Sequence, residues 1–290
     1  MGGVTDQAVR EPAAVSGRPS SAGTQLAALT VAIVLGVLLA GSARIGAAQL
    51  IAAIAVTQAV VGVSWVFASG APGRKGALVI LAMAAAGADI TVSVWPDSRL
   101  GTLLVVFALA LPVMFVHQLM RGAVRAHVVE SLGAIAVGLT AVVSPAAFAQ
   151  LRHEFDPAST GGKVVSGVVV AAAAALVVGL LVDLVMPAPR FDPNVDRGLL
   201  AVVASAGLGG SVGHLMLGVH NGFLDQRGVF VGAASGVLVA LLAIAAAFAL
   251  QSAPPAESRL ATGLRPVVAT ALPLALLAPV AFLLCLAVRA

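Results

Sequence analysis

Runs of about 20 apolar residues, broken by short polar stretches, recur along the whole 290-residue chain and limit what it can become. An α-helix rises about 1.5 Å per residue, so each run can cross a hydrocarbon layer about 30 Å thick. The runs cover residues 26–43, 45–68, 76–95, 101–120, 128–149, 164–186, 198–218, 228–250 and 266–288. Hydrophobic residues make up 60% of the chain and charged residues 10%. A soluble domain carries about 25% charged residues, and no soluble core could absorb the difference. Inside a bilayer every backbone polar group must be satisfied within the protein, which leaves helices for runs of this length. The sequence therefore predicts an all-α, polytopic transmembrane helical bundle of about nine spans over residues 26–290. Residues 1–25 are small and polar, with too little apolar surface to fold, and read as a disordered cytoplasmic tail.

The first run ends in Ala40-Gly41-Ser42-Ala43, which faintly resembles a signal-peptidase site. The long preceding region without net positive charge argues against cleavage. Counting Lys and Arg on alternate sides of nine spans sets the orientation. The side of the N-terminus holds ten: Arg10, Arg18, Arg74, Lys75, Arg121, Arg125, Arg190, Arg197, Arg259 and Arg265. The other side holds six: Arg44, Arg99, Arg152, Lys163, Arg227 and Arg289. This bias predicts a cytoplasmic N-terminus and an external C-terminus. Arginine outnumbers lysine, and Ala, Val, Leu and Gly dominate, as in bacteria with GC-rich genomes; the plasma membrane of such a cell is the expected location. The scattered basic residues need no nucleic acid to explain them. Trp65 and Trp95 fall near run ends, where indoles lie at the headgroup level. Pro112, Pro145, Pro273 and Pro279 lie inside runs and predict kinks in the fourth, fifth and ninth helices. Gln49 and Gln58, in the second run, can hydrogen-bond across helices.

Few residues carry chemistry. Asp89 lies in the second half of the third run, where a carboxylate at the centre of a span costs about 2.5–3.5 kcal/mol. Its helical face, Ala82, Ala85, Ala86, Asp89 and Ser93, is small and slightly polar, and should pack against another helix and not against lipid. It reads as a proton or ion relay, as a ligand contact, or as a protonated or hydrogen-bonded packing residue. Asp183 ends the sixth run, and the loop after it carries Arg190, Asp192, Asp196 and Arg197. Such carboxylates can hold a cation that bridges a phosphate, and the arginines can contact phosphate directly; a solvated loop of mixed charge is the plainer reading. His214, His220 and Asp225 flank the seventh loop. Their spacing matches no metal motif, and residues six apart face different sides of a helix. Glu130 opens the fifth run, where the helix dipole favours an acid. The single cysteine, Cys285, reads as a packing residue. The sequence names no catalytic set, no metal site and no cofactor.

Glycines carry the stronger pattern. Gly209 and Gly213, Gly218 and Gly222, and Gly228, Gly232 and Gly236 each stand four apart. In an apolar helix this spacing forms a groove that another backbone can enter. It serves tight packing within one protomer, self-association, or a partner helix.

A polar tail, two closely spaced first helices and about nine spans together resemble bacterial phosphatidate cytidylyltransferases, which make CDP-diacylglycerol. In both, the sixth helix ends near an aspartate, here Asp183, before a polar loop containing proline. The string His220-Asn221-Gly222-Phe223-Leu224-Asp225-Gln226 keeps the histidine, one glycine and one aspartate of that family's signature. The second aspartate and the lysine-rich lead-in are absent. The resemblance implies a phospholipid-like substrate and Mg²⁺. The residues themselves point first to a non-enzymatic membrane component that packs against the bilayer and a membrane-protein partner. A membrane enzyme or transporter for a phospholipid-like or anionic substrate is the alternative.

Overall fold

The computed structural model describes residues 22–70, 73–96, 100–120, 128–155, 160–186, 189, 198–218, 225–252 and 258–289. Among these residues the regular structure is helical, and nine helices are long and apolar enough to span a membrane. Their positions follow the nine apolar runs. α1 is Ala22–Ile45, starting within the stretch expected as tail; residues 1–21 lie outside the described residues. α2 is Ala47–Ala68, so a single residue, Gly46, separates the first pair. α3 (Arg74–Val94) and α4 (Gly101–Met120) follow. The turn between α2 and α3 uses Gly70 and Gly73 at φ 65° and 79°, a region that favours glycine.

The fifth span is composite. α5 (Val128–Val143) passes into a 3₁₀ turn at Ser144–Ala146 and then α6 (Ala147–Glu154). Pro145 sits in that turn, where its missing N–H and fixed φ interrupt the α-helical ladder. Pro112 in α4, and Pro266, Pro273 and Pro279 in α10 (Arg259–Arg289), leave their helices continuous. The remaining spans are α7 (Gly161–Val185), α8 (Leu199–Gly213), closed by a π turn at His214–Gly218, and α9 (Asp225–Ser252).

The bundle has two flanks joined by α1 and α10. On one flank α7, α8 and α9 pack on one another; on the other, α3 packs on α2, α4 and α5. Helix α10 touches α1, α2 and α9 and closes the centre. Leu39, Leu50, Ile54, Leu176, Leu274 and Leu277 are among the fully buried side chains there. Many large apolar residues, including Met83, Leu104, Leu109 and Phe115, face outward, as spans in contact with lipid require.

One end of the bundle is tied by three arginines. Arg152 donates to the Ala43 carbonyl. Arg227 donates to Val288 O at 2.5 Å, and Arg289 to Glu154 O at 2.8 Å. Each acceptor lies in the last turn of a helix, where carbonyls lack partners within that helix. Arg289 also meets the Glu154 carboxylate at 3.4 Å and lies 5.1 Å from the Phe155 ring centre.

Candidate functional site

The glycine stretch is filled from within the chain. A Cβ on Gly209 would lie 2.5 Å from Gly232 O and 3.2 Å from the Gly236 Cα. A Cβ on Gly213 would overlap Gly228 O and lie 2.7 Å from the Gly232 Cα. Gly232 would in turn overlap Gly209 O, and Gly236 would overlap Ser205 O. The α8 and α9 backbones therefore meet directly along Gly209, Gly213, Gly228, Gly232 and Gly236, with the closeness that small-residue spacing permits. Ser205 Oγ adds a hydrogen bond to Ala175 O of α7 at 2.8 Å, beside Gly179. Gly36 of α1 makes a similar approach to α7, since its Cβ would stand 2.6 Å from the Ala173 Cβ. Gly36 and Gly179 belong to no four-residue repeat, so spacing alone does not mark them. Gly218 ends the π turn; its surroundings, and Gly222, lie outside the described residues.

The acids separate. Asp183 is buried, 5% exposed, and Oδ1 accepts the Gly198 amide at 2.9 Å. Leu199 N donates to Pro189 O at 3.3 Å beside it. The carboxylate thus ties the end of α7 to the start of α8, a structural use that the loop composition did not indicate. Arg190, Asp192, Asp196, Arg197 and His220 lie outside the described residues, as does the Asp225 side chain. His214 opens the π turn and borders a recess of about 600 Å³ with Gly207, Gly210, Ser211 and Val229. It belongs to the α7–α9 flank, whereas Asp89 belongs to the other. No group of three or more His, Cys, Asp or Glu able to hold a metal occurs among the described residues. Cys285 is fully buried in α10.

Asp89 has the most unusual surroundings. Gln58, in the middle of α2 and 2% exposed, donates from Nε2 to Asp89 Oδ1 at 3.0 Å. Among the described residues no donor engages the second carboxylate oxygen. The pair lines a groove of about 470 Å³ between α2 and α3. Ala55, Ala59, Gly62 and Val63 form one wall, and Leu78, Leu81, Ala82, Ala85 and Ala86 the other, with Val142 of α5 beneath. Ala55, Ala59, Ala82 and Ala86 are exposed, so the groove opens sideways from the bundle into the hydrocarbon layer. The face of Ala82, Ala85, Ala86, Asp89 and Ser93, expected to pack against another helix, is exposed at Ala82, Ala86 and Ser93 and half-buried at Ala85 and Asp89.

The chain matches no family, curated protein or solved structure with which it was compared. Gln58 is the residue whose role the sequence only half indicates. A glutamine in a span signals a cross-helix hydrogen bond, but its partner lies 31 positions away on the next helix.

Proposed function

We propose that the protein is a non-enzymatic, multi-pass component of a bacterial plasma membrane that holds another membrane component in the α2–α3 groove. The observation that carries this reading is the half-satisfied Asp89 carboxylate at the edge of an open groove with small-residue walls. Intramembrane carboxylates are costly and are kept where they pair with something. The groove lies at the side of the bundle and not along its axis, which favours lateral docking over passage through the protein. Gly209, Gly213, Gly232 and Gly236 meet backbone within the chain, so their spacing is already used for internal packing. The excess of Lys and Arg, ten against six, supports a cytoplasmic N-terminus and an external C-terminus.

Extraction into native nanodiscs tests this reading. The native chain should retain a stoichiometric protein or lipid, and Ala59→Phe, which fills the groove, should lose it while remaining folded. Equal retention by both forms would overturn the reading. A nucleotide-lipid or anionic phospholipid held by both forms would support the alternative, an enzyme or transporter similar to phosphatidate cytidylyltransferases. Asp183 and the 187–198 loop would then be the residues to alter.

A further inference from the structure

We infer that the groove's occupant is a transmembrane helix of another protein, carrying a lysine or arginine at the depth of Asp89. This inference rests on the docking function proposed above and specifies its partner. Asp89 lies six positions before Trp95, which is about 9 Å along the helix axis. Trp95 is 60% exposed at the end of α3, where an indole marks the headgroup level. The carboxylate is therefore inside the hydrocarbon layer and on the groove's lining, with one oxygen held by Gln58 and the other without a donor among the described residues.

The depth and charge of the site select among occupants. An acyl chain would fill the groove but offers no donor to the open oxygen. A headgroup amine stays near the Trp95 level, about 9 Å above the carboxylate. A second copy of the same groove brings another aspartate, because α2 has no Lys or Arg and α3 has only Arg74 and Lys75, at its start. A cation on a partner span meets the requirement. Its long apolar stem lies along the alanine walls while its head reaches the carboxylate. The walls suit a helix, since Ala55, Ala59 and Gly62 on α2, and Ala82 and Ala86 on α3, recur at three- and four-residue spacing and admit a close backbone. The pairing removes two intramembrane charges at once and fixes the partner's register.

The test uses the full chain reconstituted in phosphatidylcholine vesicles with synthetic Leu–Ala transmembrane helices of about 20 residues. One peptide carries a lysine about 9 Å from its end, and its counterparts carry leucine or glutamate there. Energy transfer from the chain's own tryptophans to a dansyl group on the peptide reports association. The lysine peptide should bind about tenfold more tightly than the leucine peptide, and the glutamate peptide more weakly than either. Asp89→Asn, which keeps the shape of the side chain without its charge, should erase the preference. Equal binding of the lysine and leucine peptides, no binding of either, or a lysine preference that persists in Asp89→Asn would overturn the inference. Loss of a natural lipid from Ala59→Phe nanodiscs, together with no lysine preference, would leave the docking function standing and remove only this partner.

Discussion

The two flanks of the bundle solve the same packing problem in opposite ways. On the α7–α9 flank, glycines let two backbones meet, and Gly209, Gly213, Gly232 and Gly236 each face a backbone atom of the neighbouring helix. On the α2–α3 flank, a groove of about 470 Å³, lined in part by alanines and Gly62, stays open to the side. Small residues alone therefore do not say whether a surface is closed or available. The glycine flank satisfies Ser205 internally, on Ala175 O. The open flank leaves an Asp89 carboxylate oxygen without a donor among the described residues, beside the groove.

Substitutions can break or sharpen this contrast. The largest effect is expected at Gly232, where a side chain would strike Gly209 O and the Gly213 Cα, 2.7 Å away. Those contacts are with backbone and cannot rotate away. Gly232→Leu should destabilise the fold by at least the ~1–3 kcal/mol of ordinary overpacking, read by denaturant unfolding in bicelles. Native-like stability would mean that the flank is not closed.

Next is Asp183→Ala, which removes the acceptor of the Gly198 amide. The expected loss is about 1.5–3 kcal/mol, the range for hydrogen bonds to charged groups. Faster proteolysis between α7 and α8 should accompany it. Unchanged stability would free Asp183 for a chemical role.

Asp89→Ala should behave differently. It removes one interhelical hydrogen bond, worth about 0.6 kcal/mol on average in a membrane protein, and so should barely alter unfolding. Its effect should fall on partner retention, which drops about tenfold. A strongly destabilised Asp89→Ala chain would make the residue a structural tie and erase the contrast between the flanks.

The smallest change is expected from Gly207→Ala. This glycine belongs to the same rich stretch as Gly209 and Gly213, yet a Cβ there meets nothing within 4 Å. Stability should stay within about 0.5 kcal/mol of the native chain, as for substitutions away from special contacts.

The spans were legible because a helix crossing lipid must be apolar for about 20 residues, and nothing else in the chain imitates that signal. Asp89 was legible for the converse reason: a carboxylate inside such a run is costly. What sequence could not show is how the helices turn toward one another. Gln58 becomes the partner of Asp89 only through the relative rotation of α2 and α3, which neither helix encodes alone. Asp183 gains its role from a backbone amide 15 positions on, across a loop whose polar residues drew attention to themselves. The arginine ties at Ala43, Val288 and Glu154 depend on which helix ends share one side of the bundle. Charge counting finds those cations but not the carbonyls that hold them.

Site-directed cross-linking in native membranes tests the central claim most directly. Cys285 is fully buried, so Ala82→Cys places an accessible thiol on the groove wall. A benzophenone attached there should capture one protein whose transmembrane helix contains a lysine or arginine, and adding Asp89→Ala should cut the adduct about tenfold. An adduct undiminished by Asp89→Ala, or label spread only over lipid, would contradict a partner held by the Asp89 carboxylate.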